Sequence, residues 1–516
     1  MRPALSELDG RSFDVLIIGA GVNGASAAQH SSAAGFDVLL VDKGDFGSGS
    51  SSRSSRLLHC GLRYLAPGRS MWDFLLHPTQ LRQALGMART AMECRRQFVE
   101  TTPERADAMT FCFPFYKEGP YAAWQIDLAF RLLQGLGPKD LPLDYRRMTP
   151  AQAREVPLAR DLRDFDQLQG VASFREYQFN WPERLCVDMA LDAERLGGTI
   201  RNYTAATGQR RNGDGGWTLD LQDAREAGVT ATVTAKLVLN TAGIWIDRVN
   251  RAANADARRH ITGTKGVHIL VQLPPECGRF GVATLHREGE PFYCVPWRGM
   301  HYFGPTETVY EGDEDSIRPL EEEIEWILGE ANHLLPSLGL KRKDVAYAWA
   351  GVRPLTHDPA QPRGNRTRMV HDLTEDGMPG VLVMTAGPVM THRSGGAVLA
   401  GEIAARLTPS RAPQDLSHAA RRFPENTNMP PLESDDPSVK LSDLVHAAEH
   451  EQAGDLIDIL FRRTGTGWNP SMGADAARKA AETVAPALGW DATRIDAEVA
   501  RYHDYLAEQH RAGPKA

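Results

Sequence analysis

The chain has 516 residues, 42% of them apolar and 24% charged, a globular composition that excludes disordered, collagenous and coiled-coil classes and suffices for roughly three domains. Lys and Arg total 58 against 66 Asp and Glu, a net charge of -8, so there is no global basic field and nucleic acid is excluded as a main partner. The six cysteines are scattered and form no C-x-x-C pair, which points to reduced thiols rather than disulfide staples or a metal cluster.

Met1 to Arg11 is mixed polar and lacks the layout of a signal peptide, so a cytoplasmic location is expected. No apolar run approaches the ~20 residues of a membrane span, and any membrane contact is expected from the surface. The run from Phe13 to Ile18 is continuously apolar and predicts a strand buried on both faces of a parallel sheet. It leads into Gly19-Ala20-Gly21-Val22-Asn23-Gly24, a G-x-G-x-x-G match, then a small-residue helix over 25–34 ending at Gly35, then a strand over 37–41 ending in Asp42. That order describes a dinucleotide-binding unit. Gly19 permits the tight turn, Gly21 lets the backbone approach a pyrophosphate, Gly24 allows close helix–strand packing, and Asp42 accepts from the ribose hydroxyls. Asn23 lies in the same turn.

The tract that follows, 44–65, reads at first as a flexible Ser/Gly linker. A linker has no use for the donors Arg56, His59, Arg63 and Tyr64. Ser51, Ser52 and Ser55 are placed to continue the phosphate cradle toward a flavin. The combination of the glycine turn, Ser51-Ser52-Arg53-Ser54-Ser55-Arg56-Leu57-Leu58-His59 and Gly61-Leu62-Arg63-Tyr64-Leu65 resembles the FAD-dependent glycerol-3-phosphate dehydrogenases. Asn240-Thr241-Ala242-Gly243-Ile244-Trp245, Lys265-Gly266-Val267-His268, Val295-Pro296-Trp297 and Gly351-Val352-Arg353-Pro354-Leu355 follow in the family's order. The stretch from Glu449 through Arg462-Arg463-Thr464 to Gly467-Trp468 is similar to the family's helical cap, so the resemblance spans nearly the whole chain.

The resemblance implies FAD as cofactor and an α/β fold (α+β overall). A Rossmann-like FAD-binding domain would be interleaved with a β-rich substrate domain and followed by a C-terminal helical domain. We expect the FAD domain over 11–85, 170–255 and 345–408, the substrate domain over 86–169 and 256–344, a Pro/Asn/Asp/Ser-rich linker over 409–437 and the helical domain over 438–516. A strand over 235–239 would put the Asn240–Gly243 turn beside the cofactor. A strand over 381–384, the turn Thr385-Ala386-Gly387-Pro388 and a helix from about Thr391 would aim a helix N-terminus at the flavin pyrimidine end. Gly243, Gly387 and Thr391 are therefore cofactor candidates. Phe292 to Trp297 and His301 to Gly304 read as a hairpin around Arg298-Gly299-Met300.

The implied chemistry is oxidation of glycerol 3-phosphate to dihydroxyacetone phosphate by hydride transfer to flavin, with the hydroxyl proton passing to a base and electrons passing to membrane quinone. His268 and His59 are the proton-transfer candidates, because histidine titrates near neutrality. Arg63, Arg353 and Arg368 are candidates for the phosphate dianion, with Arg366 competing with Arg368, since guanidinium binds phosphate bidentately. Arg353 is also counted as catalytic, and Tyr64 would orient the hydroxyl. No histidine spacing suits a metal.

Three departures bear on the substrate. Pro388 stands where the family carries a lysine, Cys60 where it carries a glycine, and Glu307 where it carries an aspartate. They open the alternative of a longer polyol phosphate such as erythritol phosphate. An amine or amino-acid oxidase is disfavoured by a site rich in arginines without a matched acid; a flavin-binding protein without turnover is supported only by Pro388. Met71 to Leu76, followed by Arg82, Arg89, Arg95 and Arg96, reads either as a membrane-contacting surface at the inner face of the cell membrane or as a core helix with a basic outer face. A homodimer is compatible with the sequence.

Overall fold

The computed structural model describes residues 2–65, 78–425 and 429–511. The first strand, Ser12–Ile18, is buried at every position after its first residue. An apolar run without alternation needs cover on both faces, and it sits at the centre of an eight-stranded sheet. Its parallel neighbours are Thr230–Asn240 and Val38–Val41, with Val381–Thr385 and Thr199–Arg201 outside them and Met369–Asp372 closing one edge antiparallel. The helices Pro182–Arg195 and His392–Ala404 both pack on the helix Val22–Ala33. A meander of Thr204–Arg211 and Trp217–Asp223 hangs from the first half of Thr230–Asn240.

The second sheet has ten strands. Its long pairs are Ala106–Tyr116 with Leu168–Phe179 and Ile261–Val271 with Val345–Thr356. Leu57–Leu58 joins its edge. The strands beginning at 168 and 345 therefore belong to this second sheet, although the expected boundaries at 170 and 345 group them with the first. An apolar run predicts a strand but not which sheet pairs with it. The expected hairpin forms between Pro291–Trp297 and Met300–Gly304, turned by Arg298 at φ 50° and Gly299 at φ 76°.

Residues 409–425 carry no helix or strand, yet they are no free tether. Arg411 donates to the Phe36 carbonyl at 2.6 Å, and Gln29 donates to the Ser417 carbonyl at 2.8 Å. Helices follow over Leu441–His450, Ala477–Leu488 and Ala492–His510. Between the first two lies a fully buried π-helical turn, Asp458–Arg463. It presents Arg462 Nε to Asp45 Oδ2 at 2.6 Å and Arg463 Nη1 and Nη2 to Asp45 Oδ2 and Oδ1 at 2.7 and 2.8 Å. Asn202 Nδ2 donates a further bond to Asp45 Oδ1 at 2.8 Å.

The expected segment Met71 to Leu76 lies outside the described residues. In the helix Pro78–Thr101 beyond it, Arg82 and Arg89 are exposed, but Arg96 is paired with Glu93 and Glu100. Arg95 is buried over the Tyr177 ring with Glu176 at 3.7 Å, so it is no part of a basic surface. Among the described residues no helix is long and apolar enough to cross a membrane.

Burial by itself raises the Asp45 carboxyl, but Arg463 and Arg462 more than offset this and hold it below the ordinary carboxylate range. The ionised form is therefore the folded form, and its stabilisation is present above the ordinary carboxylate pKa and lost as the pH falls below it. Asp45→Ala would leave two buried guanidiniums without their acceptor and is expected to destabilise the protein by about 3–5 kcal/mol, measured by urea unfolding.

Candidate active site

Each strand of the parallel sheet ends at one cavity of about 1030 Å³. At Gly19 the chain turns with φ 97°, and a Cβ there would stand 2.8 Å from the Thr241 carbonyl. Thr241 Oγ1 donates to the Ile18 and Gly19 carbonyls at 3.0 Å and ties the two turns together. A Cβ on Gly21 would meet only Ser51 Oγ, at 3.2 Å, on the cavity wall. That leaves room for a group lying directly against the backbone. Gly21 caps the helix without a side chain, and Ser51 Oγ accepts from the Val22 amide at 2.9 Å and also lies against the Cys186 thiol. Asp42 accepts from the amides of Ala20 at 2.6 Å and Gly44 at 2.8 Å, and burial pushes its carboxyl up to about 6.

The second turn approaches from the other side. Asn23 Nδ2 donates to the Gly387 carbonyl at 2.8 Å, and Ala386 N to the Pro354 carbonyl at 2.9 Å. The glycine turn, the 386–389 turn and the strand bearing Arg353 thus meet at one end of the cavity. Gly243, Ser55, His59 and Tyr64 also line it. The residues present fit an FAD: a wall without side chains at Gly21, the start of the first helix beside it, and the Asp42 carboxylate next to the same turn.

Three expected site residues, Ser52, Thr391 and Arg368, fall elsewhere, while Gly24 has the packing role expected of it. Gly24 does not line the cavity; it serves packing, since a Cβ there would run into the Gly19 carbonyl. Ser52 turns back to the Gly49 carbonyl at 2.9 Å, and Thr391 to the Pro388 carbonyl at 3.1 Å. Both hydroxyls are used locally to close a helical turn. Arg368 donates to the Thr391 carbonyl and to Ser394 Oγ at 3.2 and 2.8 Å, bracing the helix start rather than the cavity. Its competitor Arg366 is the one on the wall, paired with Glu307. The side chain of Arg63 lies outside the described residues.

Glu307, singled out in the sequence as a departure bearing on the substrate, proves to be the acid that pairs with the arginines. Glu307 lines the cavity between Arg366 and Arg353, whose Nη1 is 4.0 Å away, so the arginines do have a matched carboxylate. Its pairing was unreadable because both partners, Arg353 and Arg366, stand some 45 to 60 residues later in the chain.

His268 stands opposite Trp349 in the antiparallel pair and stacks on its indole, centroids 4.9 Å apart at 12°. Its Nε2 is 3.0 Å from Ser55 Oγ. Burial first, then the charges of Arg353 and Arg56, hold it well below its ordinary pKa, so it is neutral at physiological pH. Arg56 itself is buried with its guanidinium 4.1 Å from the Trp297 ring and 4.4 Å from the Trp468 ring, a cage that no sequence spacing announces.

This fold and this site define a flavin-dependent oxidoreductase. Residues 14–407 match the family described as FAD dependent oxidoreductase, and the chain belongs to it. Residues 414–495 match the C-terminal domain of alpha-glycerophosphate oxidase. The chain is 26% identical to a glycerol-3-phosphate dehydrogenase of Synechocystis sp., covering 97% of this chain and 98% of that one. It is 29% identical to glycerol-3-phosphate dehydrogenase 2 of Mycobacterium tuberculosis, covering 97% and 89%. Among solved structures it is similar to the glycerol-3-phosphate dehydrogenase from Bacillus halodurans complexed with FAD, with a TM-score of 0.73 at 20% identity, covering 98% of this chain and 96% of that one. FAD and the α/β flavoprotein fold stand as expected from the sequence.

Two measurements check the site. Gly24→Ala is expected to lower the FAD content of purified, folded protein at least tenfold, read as the ratio of flavin to protein absorbance, because the added methyl forces the first helix off the glycine turn. For His268, the neutral form belongs to the fold and the protonated form to the unfolded chain, so this group withdraws stability as the pH falls below about 6.5. NMR of isotope-labelled histidine should show its ring unprotonated at pH 6, where an exposed histidine is mostly charged.

Proposed function

We propose that the protein oxidises a small polyol phosphate at its secondary alcohol, with glycerol 3-phosphate to dihydroxyacetone phosphate as the default reaction. The observation that carries this reading is the pair of guanidiniums, Arg353 and Arg366, on the cavity wall beside a buried neutral histidine. Bound FAD supplies the two-electron acceptor. Arg353 and Arg366 hold the phosphate dianion by charge-assisted bonds, and Tyr64 orients the hydroxyl. His268 takes the hydroxyl proton; Ser55, at 3.0 Å from its Nε2, fixes the ring and links it to the cavity. His59, on the same wall and edge-on to Tyr64 at 5.5 Å between ring centroids, is the alternative base.

A longer polyol phosphate, such as an erythritol phosphate, is a second reading, favoured by the uncharged wall formed by Ala386, Pro388 and Val389 where the family carries a lysine. We assign membrane quinone as the electron acceptor, reached from the membrane surface. Trp124, 52% exposed, with Leu128 and Leu132 at four-residue spacing along the helix Ala123–Leu136, forms an apolar stripe that suits such contact.

Anaerobic mixing of the holoprotein with glycerol 3-phosphate, erythritol phosphates and amino acids tests the reading. Bleaching of the yellow flavin by a polyol phosphate supports it, and bleaching by amino acids alone replaces it with an oxidase. Arg353→Ala is expected to cut turnover by a factor of roughly 100 with flavin still bound.

A further inference from the structure

At the Asp42 end of the cavity, a segment of the substrate domain reaches across to the flavin domain. Residues 311–316 form neither helix nor strand and follow the short edge strand Thr308–Val309. The segment is braced on itself. Asp313 Oδ1 accepts from the Asp315 amide at 3.1 Å, its Oδ2 from Ser316 Oγ at 2.8 Å, and its carbonyl from Tyr310 Oη at 2.7 Å. Ile317, buried, anchors the far end in the substrate-domain core.

What the segment offers to the other domain is ionic. Asp315 accepts from Lys43 Nζ, from Trp245 Nε1 at 2.9 Å and from Arg248 Nη1 at 2.6 Å. Arg248 also pairs with Glu314, and Lys43 lies over the Trp245 ring, 4.2 Å from its centroid. Lys43 directly follows Asp42, the acid expected from the sequence at the adenosine ribose, and Trp245 and Arg248 follow the Gly243 turn. These three residues, with Glu314 and Asp315, line the same cavity. The side chains of Lys43, Asp315 and Arg248 are nearly half exposed, so the bridge stands at the rim and not in the core.

Asp315 and Glu314 thus reach Lys43, Trp245 and Arg248 across the rim of the cavity. Asp315 and Glu314 bind through ions and one indole N–H, so the segment can part from Lys43 and Arg248 while the Trp245 ring stays packed on the substrate-domain core. We propose that residues 311–316 are a clasp that closes over the adenosine half of FAD, and that Asp315 is its pin, holding Lys43, Trp245 and Arg248 of the flavin domain at once. The clasp governs how fast the cofactor leaves, not the chemistry at the other end of the cavity.

Holoprotein diluted into flavin-free buffer releases FAD with a rise in flavin fluorescence, and this rate is the readout. In Asp315→Asn it is expected to rise about tenfold, because three donors lose their charged acceptor, whereas Asp315→Glu should restore most of the retention. In the unaltered protein, raising NaCl from low to high concentration should accelerate release, and Asp315→Asn should lose most of that salt response. Intrinsic tryptophan fluorescence followed in parallel separates release from unfolding. Release rates that agree within twofold between the unaltered protein and Asp315→Asn at both salt concentrations would overturn the clasp. So would release that occurs only together with unfolding.

Discussion

The carboxylate of Asp45, three residues beyond Asp42 on the cavity wall, is held by two consecutive arginines of the C-terminal domain. Taking three charges out of water costs several kcal/mol per ion, and the arrangement is tolerable only because every partner is supplied. Arg462 also reaches Asp458, Arg463 donates to the Glu451 carbonyl at 2.9 Å, and Glu451 takes Arg184 bidentately at 2.6 and 2.7 Å. Asp458, at the inner edge of this network, is raised by burial and by the neighbouring carboxylates Asp45 and Asp455. The charges are thus balanced across the domain boundary rather than within either domain. Because Ile457, Arg501 and Tyr505 of the C-terminal domain line the flavin cavity, docking that domain and completing the cavity wall are one event.

Arg56 repeats the pattern in an aromatic setting. It leaves the serine tract at φ 56°, is covered by Trp297 of the substrate sheet and Trp468 of the C-terminal domain, and has Glu183 of the flavin domain 3.5 Å away. Trp468 donates its indole N–H to the same Glu183. One buried cation therefore gathers side chains from all three parts of the chain. It also lies close enough to His268 to help keep that imidazole neutral, which links the assembly of the domains to the protonation state of the candidate base.

At the substrate end, Glu307 changes how the arginines must be read. A carboxylate between Arg353 and Arg366 aligns both guanidiniums before any ligand arrives and lowers the net positive charge facing the cavity. An anion that binds there competes with Glu307 for the same donors, so affinity depends on how many bonds it forms and not on charge alone. Pro388 adds no cation at the 386–389 turn.

The first strand, the glycine turn, the following helix and Asp42 were legible because each rests on local chemistry: a continuous apolar run, glycines where side chains cannot fit, a terminal acid. The same holds for the Arg298-Gly299 hairpin and for the helical spacing of Leu444, Tyr502 and Leu506. The role of a side chain such as Ser52, Thr391 or Arg368 was not legible, since whether a hydroxyl or guanidinium faces a cavity or closes its own turn depends on a few degrees of backbone direction. Sequence alone determined the strand, the glycine turn at Gly19 and the small-residue helix of a dinucleotide-binding unit. Only tertiary structure decided that Arg366 and Glu307 replace Arg368 at the site, that Arg56 is caged by tryptophans, and that Asp45 meets Arg462 and Arg463. Those contacts join residues tens to hundreds of positions apart, and no periodicity or spacing in the chain encodes which distant charge a buried charge will find.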